Sequence, residues 1–321
     1  MSPWLIAALA AAIAALLLFW LFHNGRVYAR RVEAVWPAEG RFIETHGASI
    51  HVLEAGPSDA PPVLLIHGAS ANLRELWAPL ASDLARDHRV IALDRPGYGH
   101  STRPKRGAER LATQAAVVAG ILRATETGAA VVIGHSLGAA IALRLALDAP
   151  NTVAGLVLVA PASHPYPGKP AWWARFAATP LLGAFFSGAI IPLLGPIAGR
   201  GGIANNFAPG PVPPGYAEDA GVGLIFRASA FRASARDVCA TKVELAAQAP
   251  RYAELLTPAI VITAERDRVV SPKRHARALA AELPAAELVI APNAGHMPHR
   301  VRPDLVLAAV RRVGAMAGVY A

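Results

Sequence analysis

The spacing of hydrophobic and polar positions changes several times along this chain. Residues 41–55 alternate apolar and polar side chains around a glycine turn, which predicts an antiparallel hairpin with one solvent-facing side. Beyond it come short, nearly continuous apolar runs rich in β-branched residues, which are typical of strands buried on both faces. These runs cover residues 63–66, 89–93, 131–133, 156–159, 260–263 and 288–290.

Segments with helical spacing separate most of the apolar runs. They cover residues 73–87, 109–124, 136–148, 272–283 and 303–316. Alternating strands and helices predict an α/β fold, with a mostly parallel sheet flanked by helices on both sides. The alternation is interrupted once, at residues 161–257, by a stretch rich in glycine and proline. We predict that this stretch is a cap, inserted between a first core part (41–160) and a second (258–321).

The start of the chain is apolar all round. Residues 4–22 contain no charged side chain and would form a helix about 28 Å long, close to the hydrocarbon thickness of a bilayer. We therefore predict a transmembrane anchor at residues 1–25, which contacts the lipid bilayer through residues 4–22. A cleaved signal peptide is the alternative, but it requires a basic start and small residues near a cut site. Here the far end is bulky, with Trp20 and Phe22.

Arginines follow the apolar stretch and do not precede it. Arg26, Arg30 and Arg31 lie in a segment, residues 26–40, that we interpret as a basic linker. By the positive-inside rule we predict a single-pass membrane protein with the rest of the chain on the cytoplasmic face.

The overall composition excludes some function classes. Hydrophobic residues make up 54% of the 321 residues, which is enough for a large core. The net charge of +9 raises the possibility of nucleic-acid binding, but basic residues are scattered among acids, whereas nucleic-acid-binding proteins concentrate them in a patch. We expect no nucleic-acid partner. The one cysteine, Cys239, cannot form an intrachain disulfide.

The candidate nucleophile lies at a junction between a predicted strand and a predicted helix. Gly134-His135-Ser136-Leu137-Gly138 has the G-x-S-x-G spacing, and its flanking glycines leave room for a sharp turn that exposes the serine. A serine hydroxyl is a poor nucleophile unless a base lies beside it. The motif therefore predicts Ser136 as nucleophile, the alternative being an ordinary glycine-flanked turn.

An activated serine needs a base, and the base needs an acid that orients it. His296 follows the last predicted strand, and a loop there opens on the same sheet edge as the serine. We predict His296 as the base, with His299 as its main competitor. His275, in a helical pattern, and His164, early in the cap, are weaker candidates.

The acid is expected between the serine and the histidine in chain order. Asp267 follows the strand predicted at 260–263, and we predict that it orients His296. Glu265 is the alternative, although it is closer to the strand and suited to pair with an arginine. Less suitable acids are Asp219 and Asp237 in the cap and Asp304 at the start of the final helix.

The negatively charged oxygen of a tetrahedral intermediate is usually held by backbone N–H groups. His67-Gly68-Ala69-Ser70 closes the strand at 63–66, so its turn places the Ala69 N–H as one oxyanion donor. The Leu137 N–H, directly after the serine, is the second. His67 itself is expected to brace the turn.

Other motifs predict no cofactor and no metal site. The glycine-rich loop at residues 94–101 lacks the ending of a P-loop and the spacing of a dinucleotide turn, so we interpret it as a structural turn. No cysteine and histidine spacing is typical of zinc, and no carboxylate cluster suggests a hydrolytic metal pair. In the cap, Trp172, Trp173 and Phe176 are candidate substrate-binding residues, the alternative being packing of cap helices on the core.

Taken in order, these motifs resemble the α/β-hydrolase fold family. The resemblance runs from about residue 41 to the C-terminus and rests on His67-Gly68, the loop 94–101, the elbow at Ser136, the acid loop 265–267 and Gly295-His296. It implies an eight-stranded sheet with a helical cap after the sixth strand. Serine at position 136 departs from the aspartate of epoxide hydrolases and haloalkane dehalogenases. The anchor is not part of the family pattern.

Three hypotheses about function follow. The first is a membrane-anchored serine hydrolase of a small carboxylic ester with an apolar portion. The second keeps the triad but cleaves a carbon–carbon or amide bond. The third is a membrane-tethered accessory or binding protein without turnover, since a fold does not determine a function.

Overall fold

The computed structural model describes residues 1–319. Its centre is an eight-stranded sheet with the strand order β1-β2-β4-β3-β5-β6-β7-β8. The strands are β1 (Arg41–Thr45), β2 (Ala48–Ala55), β3 (Pro62–Ile66), β4 (Arg89–Leu93), β5 (Ala130–His135), β6 (Val153–Val159), β7 (Ala259–Thr263) and β8 (Ala286–Ile290).

Strand β2 pairs antiparallel with β1 and β4, and every other pairing is parallel. The predicted fold class, a mostly parallel eight-stranded sheet preceded by an apolar helix, is thus confirmed. Each predicted apolar run lies within one strand, and the predicted hairpin is β1–β2. Because β3, β5, β6, β7 and β8 are parallel, the loops after them open on one edge of the sheet.

Helices cover both faces of the sheet. In the core they are α2 (Arg74–Leu84), α3 (Leu111–Ala124), α4 (Leu137–Asp148), α10 (Ala278–Glu282), α11 (Pro298–Val301) and α12 (Pro303–Met316). Successive strand residues point to opposite faces. Leu64 and Val132 therefore pack with α3 and α4, whereas Val63 and Ile133 pack with α2 and α12.

The cap emerges between β6 and β7. It contains α5 (Trp172–Ala177), α6 (Leu181–Phe185), α7 (Ile191–Phe207), α8 (Tyr216–Asp219) and α9 (Ala228–Gln248). A π-helical turn at Phe186–Ile190 joins α6 to α7, so that Leu181–Phe207 forms one continuous cap helix. Within the described chain no strand lies between β6 and β7, as the loss of strand periodicity predicts.

Helix α1 (Pro3–Val35) precedes the sheet. It has an 18-residue window with a mean hydropathy of 2.7, none of it buried, and is long enough to cross a membrane. The cap helix is also long and apolar enough to cross a membrane, with a mean hydropathy of 1.9, but a third of its apolar stretch is buried. Residues 26–35, predicted as linker, continue α1 as helix. They dock on the cap through the hydrogen bond from Tyr28 Oη to the Gly223 carbonyl (2.9 Å).

Candidate active site

Ser136 lies at the sharp turn between β5 and α4. Its backbone has φ +53° and ψ −115°, a conformation that is costly for a residue with a side chain. A Cβ at Gly138 would lie 2.1 Å from the Ile66 carbonyl oxygen, and one at Gly134 would lie 2.6 Å from Ala139 Cα. Both glycines are needed because neighbouring backbone occupies the space of a side chain. The turn leaves Ser136 partly exposed.

The three predicted triad residues form a continuous hydrogen-bonded set. Ser136 Oγ lies 3.0 Å from His296 Nε2, and His296 Nδ1 lies 2.8 Å from Asp267 Oδ2. The other carboxylate oxygen of Asp267 accepts the N–H groups of Val269 (2.8 Å) and Val270 (2.9 Å). Asp267 is thereby oriented by its own loop, and this arrangement is able to activate a serine hydroxyl.

The competing carboxylates are engaged elsewhere. Glu265 is 69% exposed and pairs with Arg277 at 3.3 Å. Asp304 pairs with Arg302 on the surface, and Asp237 is buried in an ion cluster described below. Asp219 lies in α8.

The competing histidines are also held in other networks. His299 Nε2 lies 3.0 Å from a Glu75 carboxylate oxygen. His275 Nδ1 accepts the N–H groups of Ser163 and His164 at 3.1 Å each. Burial, with the nearby His164 and Arg274, lowers the pKa of His275 to about 4. The His164 ring itself lies 3.0 Å from Glu282.

The loop that carries His296 is tied down from two sides. His135, which directly precedes Ser136 in the elbow motif, donates from Nε2 to the His296 carbonyl at 3.0 Å. The His296 N–H donates to the Asn206 carbonyl of the cap helix at 2.8 Å. A Cβ at Gly295 would lie 2.3 Å from the Ala208 carbonyl oxygen, so only glycine allows this approach of the cap backbone. The sequence identified His135 only as part of the motif, and nothing in it indicated Asn206.

The turn after β3 lies directly beside the serine. A Cβ at Gly68 would be 3.2 Å from Ser136 Cβ. Ala69, the predicted oxyanion donor, is the next residue and is partly exposed. Leu137, the second predicted donor, is the first residue of α4, where helix N–H groups have no partner within the helix. The cap holds this turn as well, because the Ser70 N–H donates to Ser234 Oγ at 3.0 Å.

His67 braces the same turn, as predicted. Its Nδ1 lies 2.8 Å from the Gly68 carbonyl, and its Nε2 accepts the Arg95 N–H at 3.0 Å. Burial, together with the charge of Arg95, lowers the pKa of His67 to about 3. A second proton on Nε2 of His67 would point at the Arg95 N–H. The ring therefore stays neutral and is unsuited to take protons from a substrate.

A buried ion cluster joins the cap to the core near this turn. Asp237 of α9 accepts hydrogen bonds from Arg95 (3.2 Å), Arg103 (2.6 Å) and Tyr98 (2.9 Å). The Arg95 guanidinium also donates to the Gly68 carbonyl at 3.1 Å. The loop 94–101, predicted as a structural turn, therefore links the cap to the residues beside Ser136.

A second buried cluster lies behind the elbow. Glu75 of α2 accepts hydrogen bonds from Arg300 (2.9 Å) and Tyr216 (2.7 Å) in addition to its contact with His299. Burial alone would raise the pKa of Glu75, but the His299 hydrogen bond and the Arg300 charge outweigh it and lower the pKa to about 2. The His299 ring packs on His135 at 4.4 Å between centroids. Sequence reasoning missed this cluster.

The predicted substrate-binding aromatics lie in α5 of the cap. Trp173 packs on Phe231 with ring centroids 5.3 Å apart. Phe176 packs on Phe186 at 5.1 Å, and Trp172, which is 72% exposed, lies 6.5 Å from the same ring. Their role toward a substrate stays a prediction. Among the described residues, no group of three or more His, Cys, Asp or Glu side chains is arranged to hold a metal ion.

Comparison with known proteins gives a family match over most of the chain. A sequence model described as "Alpha/beta hydrolase family" matches residues 63–309. The chain is 27% identical over 290 residues to the uncharacterized protein Rv2715 of Mycobacterium tuberculosis, covering 88% of this chain and 83% of that protein. It is 35% identical over 123 residues to the magnesium-chelatase 30 kDa subunit of Rhodobacter capsulatus, covering 38% of this chain and 43% of the subunit. In such local matches the chain spans less than half the length of the curated relatives.

The fold is also that of a solved hydrolase. The structure of 2-hydroxy-6-oxo-6-phenylhexa-2,4-dienoate hydrolase from Rhodococcus sp. strain RHA1 superimposes with a TM-score of 0.71 at 22% identity. The match covers 85% of this chain and 97% of that chain. At this identity the likeness concerns the fold alone.

Proposed function

We propose that this chain, which belongs to the alpha/beta hydrolase family, is a membrane-anchored serine hydrolase that cleaves a carboxylic ester with an apolar portion. The observation that carries the proposal is the unbroken set of hydrogen bonds from Ser136 through His296 to Asp267. A hydroxyl, an imidazole and a carboxylate joined in this order are the groups that acyl transfer requires.

In the proposed reaction Ser136 Oγ attacks the ester carbonyl carbon, and His296 Nε2 takes the hydroxyl proton. Asp267 holds the His296 tautomer with Nδ1 protonated and stabilises the imidazolium that forms. The N–H groups of Ala69 and Leu137 hold the negatively charged oxygen. His296 then returns the proton to the leaving alcohol, which leaves an acyl-enzyme. Water attacks the acyl-enzyme by the same steps and releases the acid.

Two features support an apolar substrate. No residue between positions 4 and 22 of α1 is buried, which suits a helix surrounded by lipid. We propose that residues 4–22 cross the bilayer with the catalytic domain on the cytoplasmic face. Trp172, Trp173 and Phe176 supply aromatic surface in the cap, and we propose that they line the path of an acyl chain.

The test is the reaction of the detergent-solubilised full chain with a fluorophosphonate probe and with esters of increasing acyl length. We expect Ser136→Ala to abolish labelling and to lower kcat/KM by at least about 10⁴-fold, because no other group replaces the nucleophile. Ser58→Ala, at an exposed serine in the loop after β2, is the matched control and should leave both unchanged. Full ester hydrolysis by Ser136→Ala would refute the proposal.

A second candidate keeps this triad and changes the scissile bond. It is favoured by a relative named 2-(acetamidomethylene)succinate hydrolase, from Mesorhizobium japonicum, which is 27% identical over 84% of this chain. Amides and diketones in the same substrate panel separate the two candidates. A chain that resists the fluorophosphonate probe would instead fit an accessory protein without turnover.

A further inference from the structure

An exposed apolar surface lies on the cap, outside the triad. Trp172 is 72% exposed, Leu181 85% and Leu182 62%. We call these three side chains the cap patch. Trp172 lies beside the cap helix, because its ring centroid is 6.5 Å from that of Phe186 in this helix. Large apolar side chains clustered in water generally mark an interaction surface.

The cap helix contacts α1 where the apolar stretch of α1 ends. The Phe22 ring lies 6.0 Å from the Phe185 ring. A Cβ at Gly25 would be 2.1 Å from the Gly188 carbonyl oxygen, so the two helices approach each other backbone to backbone. Further along α1, Tyr28 donates to the Gly223 carbonyl and the Trp36 indole donates to the Glu218 carbonyl, each at 2.9 Å. The cap therefore packs directly against α1.

The direction of these contacts locates the cap patch. Phe22 meets Phe185 and Gly188, and Gly25, further along α1, meets Gly188 and Pro192. The contacts advance in the same direction on both helices. Leu181, about 6 Å before Phe185 along the helix axis, thus lies toward the exposed apolar part of α1.

The charges around this surface favour an anionic lipid headgroup. The chain has no Asp or Glu between Asp148 and Glu218, a stretch that includes the cap helix. The same stretch contains two exposed basic residues within three positions of Trp172, Lys169 and Arg175, and a third, Arg200, further along the cap helix. Arg26 and Arg30, both exposed, follow Phe22 on α1. Basic side chains beside an apolar surface are attracted to anionic headgroups.

We infer that the cap patch inserts into the same bilayer leaflet from which α1 emerges, so that the cap rests on the membrane at a second point. The inference rests on the membrane-anchored form of the proposed function. Its occupant is the lipid bilayer, and the depth of insertion is that of interfacial helices, about 5–10 Å.

The experiment uses the full chain reconstituted in vesicles of phosphatidylcholine and phosphatidylglycerol. In a Cys239→Ser background, which removes the one native cysteine, an NBD fluorophore is attached to Leu182→Cys. Leu181→Cys repeats the measurement at a second exposed position. Leu9→Cys reports on the proposed span of α1. Leu256→Cys is the matched control, because Leu256 is 77% exposed and lies before β7, at the opposite edge of the sheet.

We expect phosphatidylcholine with doxyl-labelled acyl chains to quench the label at positions 9, 181 and 182 severalfold, but not the label at position 256. Quenching at position 9 without quenching at 181 and 182 would overturn the inference and leave the anchor standing. An unquenched label at position 9 would overturn both the inference and the proposed transmembrane anchor. Hydrolysis of a short, water-soluble ester by the same labelled proteins tests the serine hydrolase separately, because that substrate does not depend on the bilayer.

Discussion

Two buried carboxylates of this molecule, Asp267 and Asp237, differ in what surrounds them. Asp267 is oriented by backbone N–H groups two and three residues further along its own loop, and its second oxygen lies 2.8 Å from His296 Nδ1. Asp237 is surrounded by side chains from distant parts of the core: Arg95, Tyr98, Arg103 and Gln114. The first carboxylate is therefore suited to stabilise a charge that appears during a reaction, whereas the second is saturated and ties the cap to the core.

Between these two carboxylates, the larger effect on catalysis is expected from Asp267→Asn. An asparagine at this position favours the wrong His296 tautomer, and in a serine protease the equivalent change lowers kcat by about 10⁴-fold. We expect a loss of similar size in ester hydrolysis, with the urea unfolding midpoint nearly unchanged. Glu265→Gln, two residues away and exposed, is the control and should keep full activity. An equal loss of activity in the two variants would contradict the assignment of Asp267, and not Glu265, as the carboxylate that orients His296.

Asp237→Asn should affect stability more than chemistry. The change leaves the buried Arg95 without its counter-charge, and it leaves Arg103 with the more distant Glu109 carboxylate, 3.9 Å away. Removing one partner of such a buried ion pair typically lowers the free energy of unfolding by about 3–5 kcal/mol. Urea unfolding followed by circular dichroism in detergent measures this.

The matched control for Asp237→Asn is Asp148→Asn. Asp148 pairs with Arg144 and Arg251 at the surface, where an ion pair contributes about 0–1 kcal/mol. Equal stability of the two variants would mean that the Asp237 cluster does not hold the cap on the core.

A smaller effect is expected from pH. The pKa of His67 is about 3 and that of His275 about 4 in the folded protein, both below the ordinary value of 6.5, chiefly because the rings are buried. Below pH 6.5 the unfolded chain thus binds protons that the folded chain does not, and stability is lost as the pH falls toward those values. For His67 the loss at pH 5 is about 2 kcal/mol. His51 opposes this trend, because Asp94 raises its pKa despite burial.

Urea unfolding at pH 7 and pH 5 checks this expectation. The midpoint should be lower at pH 5, and His275→Gln, whose side-chain oxygen is still able to accept the N–H groups of Ser163 and His164, should reduce the difference. A midpoint that is equal or higher at pH 5 would contradict the assignment of neutral, buried rings.

Much of the fold was predictable because it depends on local patterns. The runs at 131–133 and 156–159 are continuous and apolar since β5 and β6 are buried on both faces. The elbow was predictable for a similar reason, as two glycines and a serine between a strand and a helix leave few conformations. The chain order of serine, acid and histidine then directed attention to Asp267 and His296.

Other parts of the site were not predictable because they depend on contacts between distant segments. Asp237 lies in a helix whose sequence is unremarkable, and only the folded chain brings it to Arg95, 142 residues away. The same holds for Glu75 and His299, which are 224 residues apart. The helical continuation of α1 through residues 26–35 was missed as well, because it is supported by packing of Gly25 and Val32 on the cap.

By itself the sequence determined the layers of the fold, the apolar character of the first helix and the three residues proposed for the chemistry, since each follows from local spacing or chain order. Only the tertiary structure decided the distances that join Ser136 to His296 and His296 to Asp267, where Asp237 fastens the cap, and how α1 lies against the cap. These are contacts between segments far apart in the chain, and their geometry is set by packing of the whole core, which no local pattern encodes.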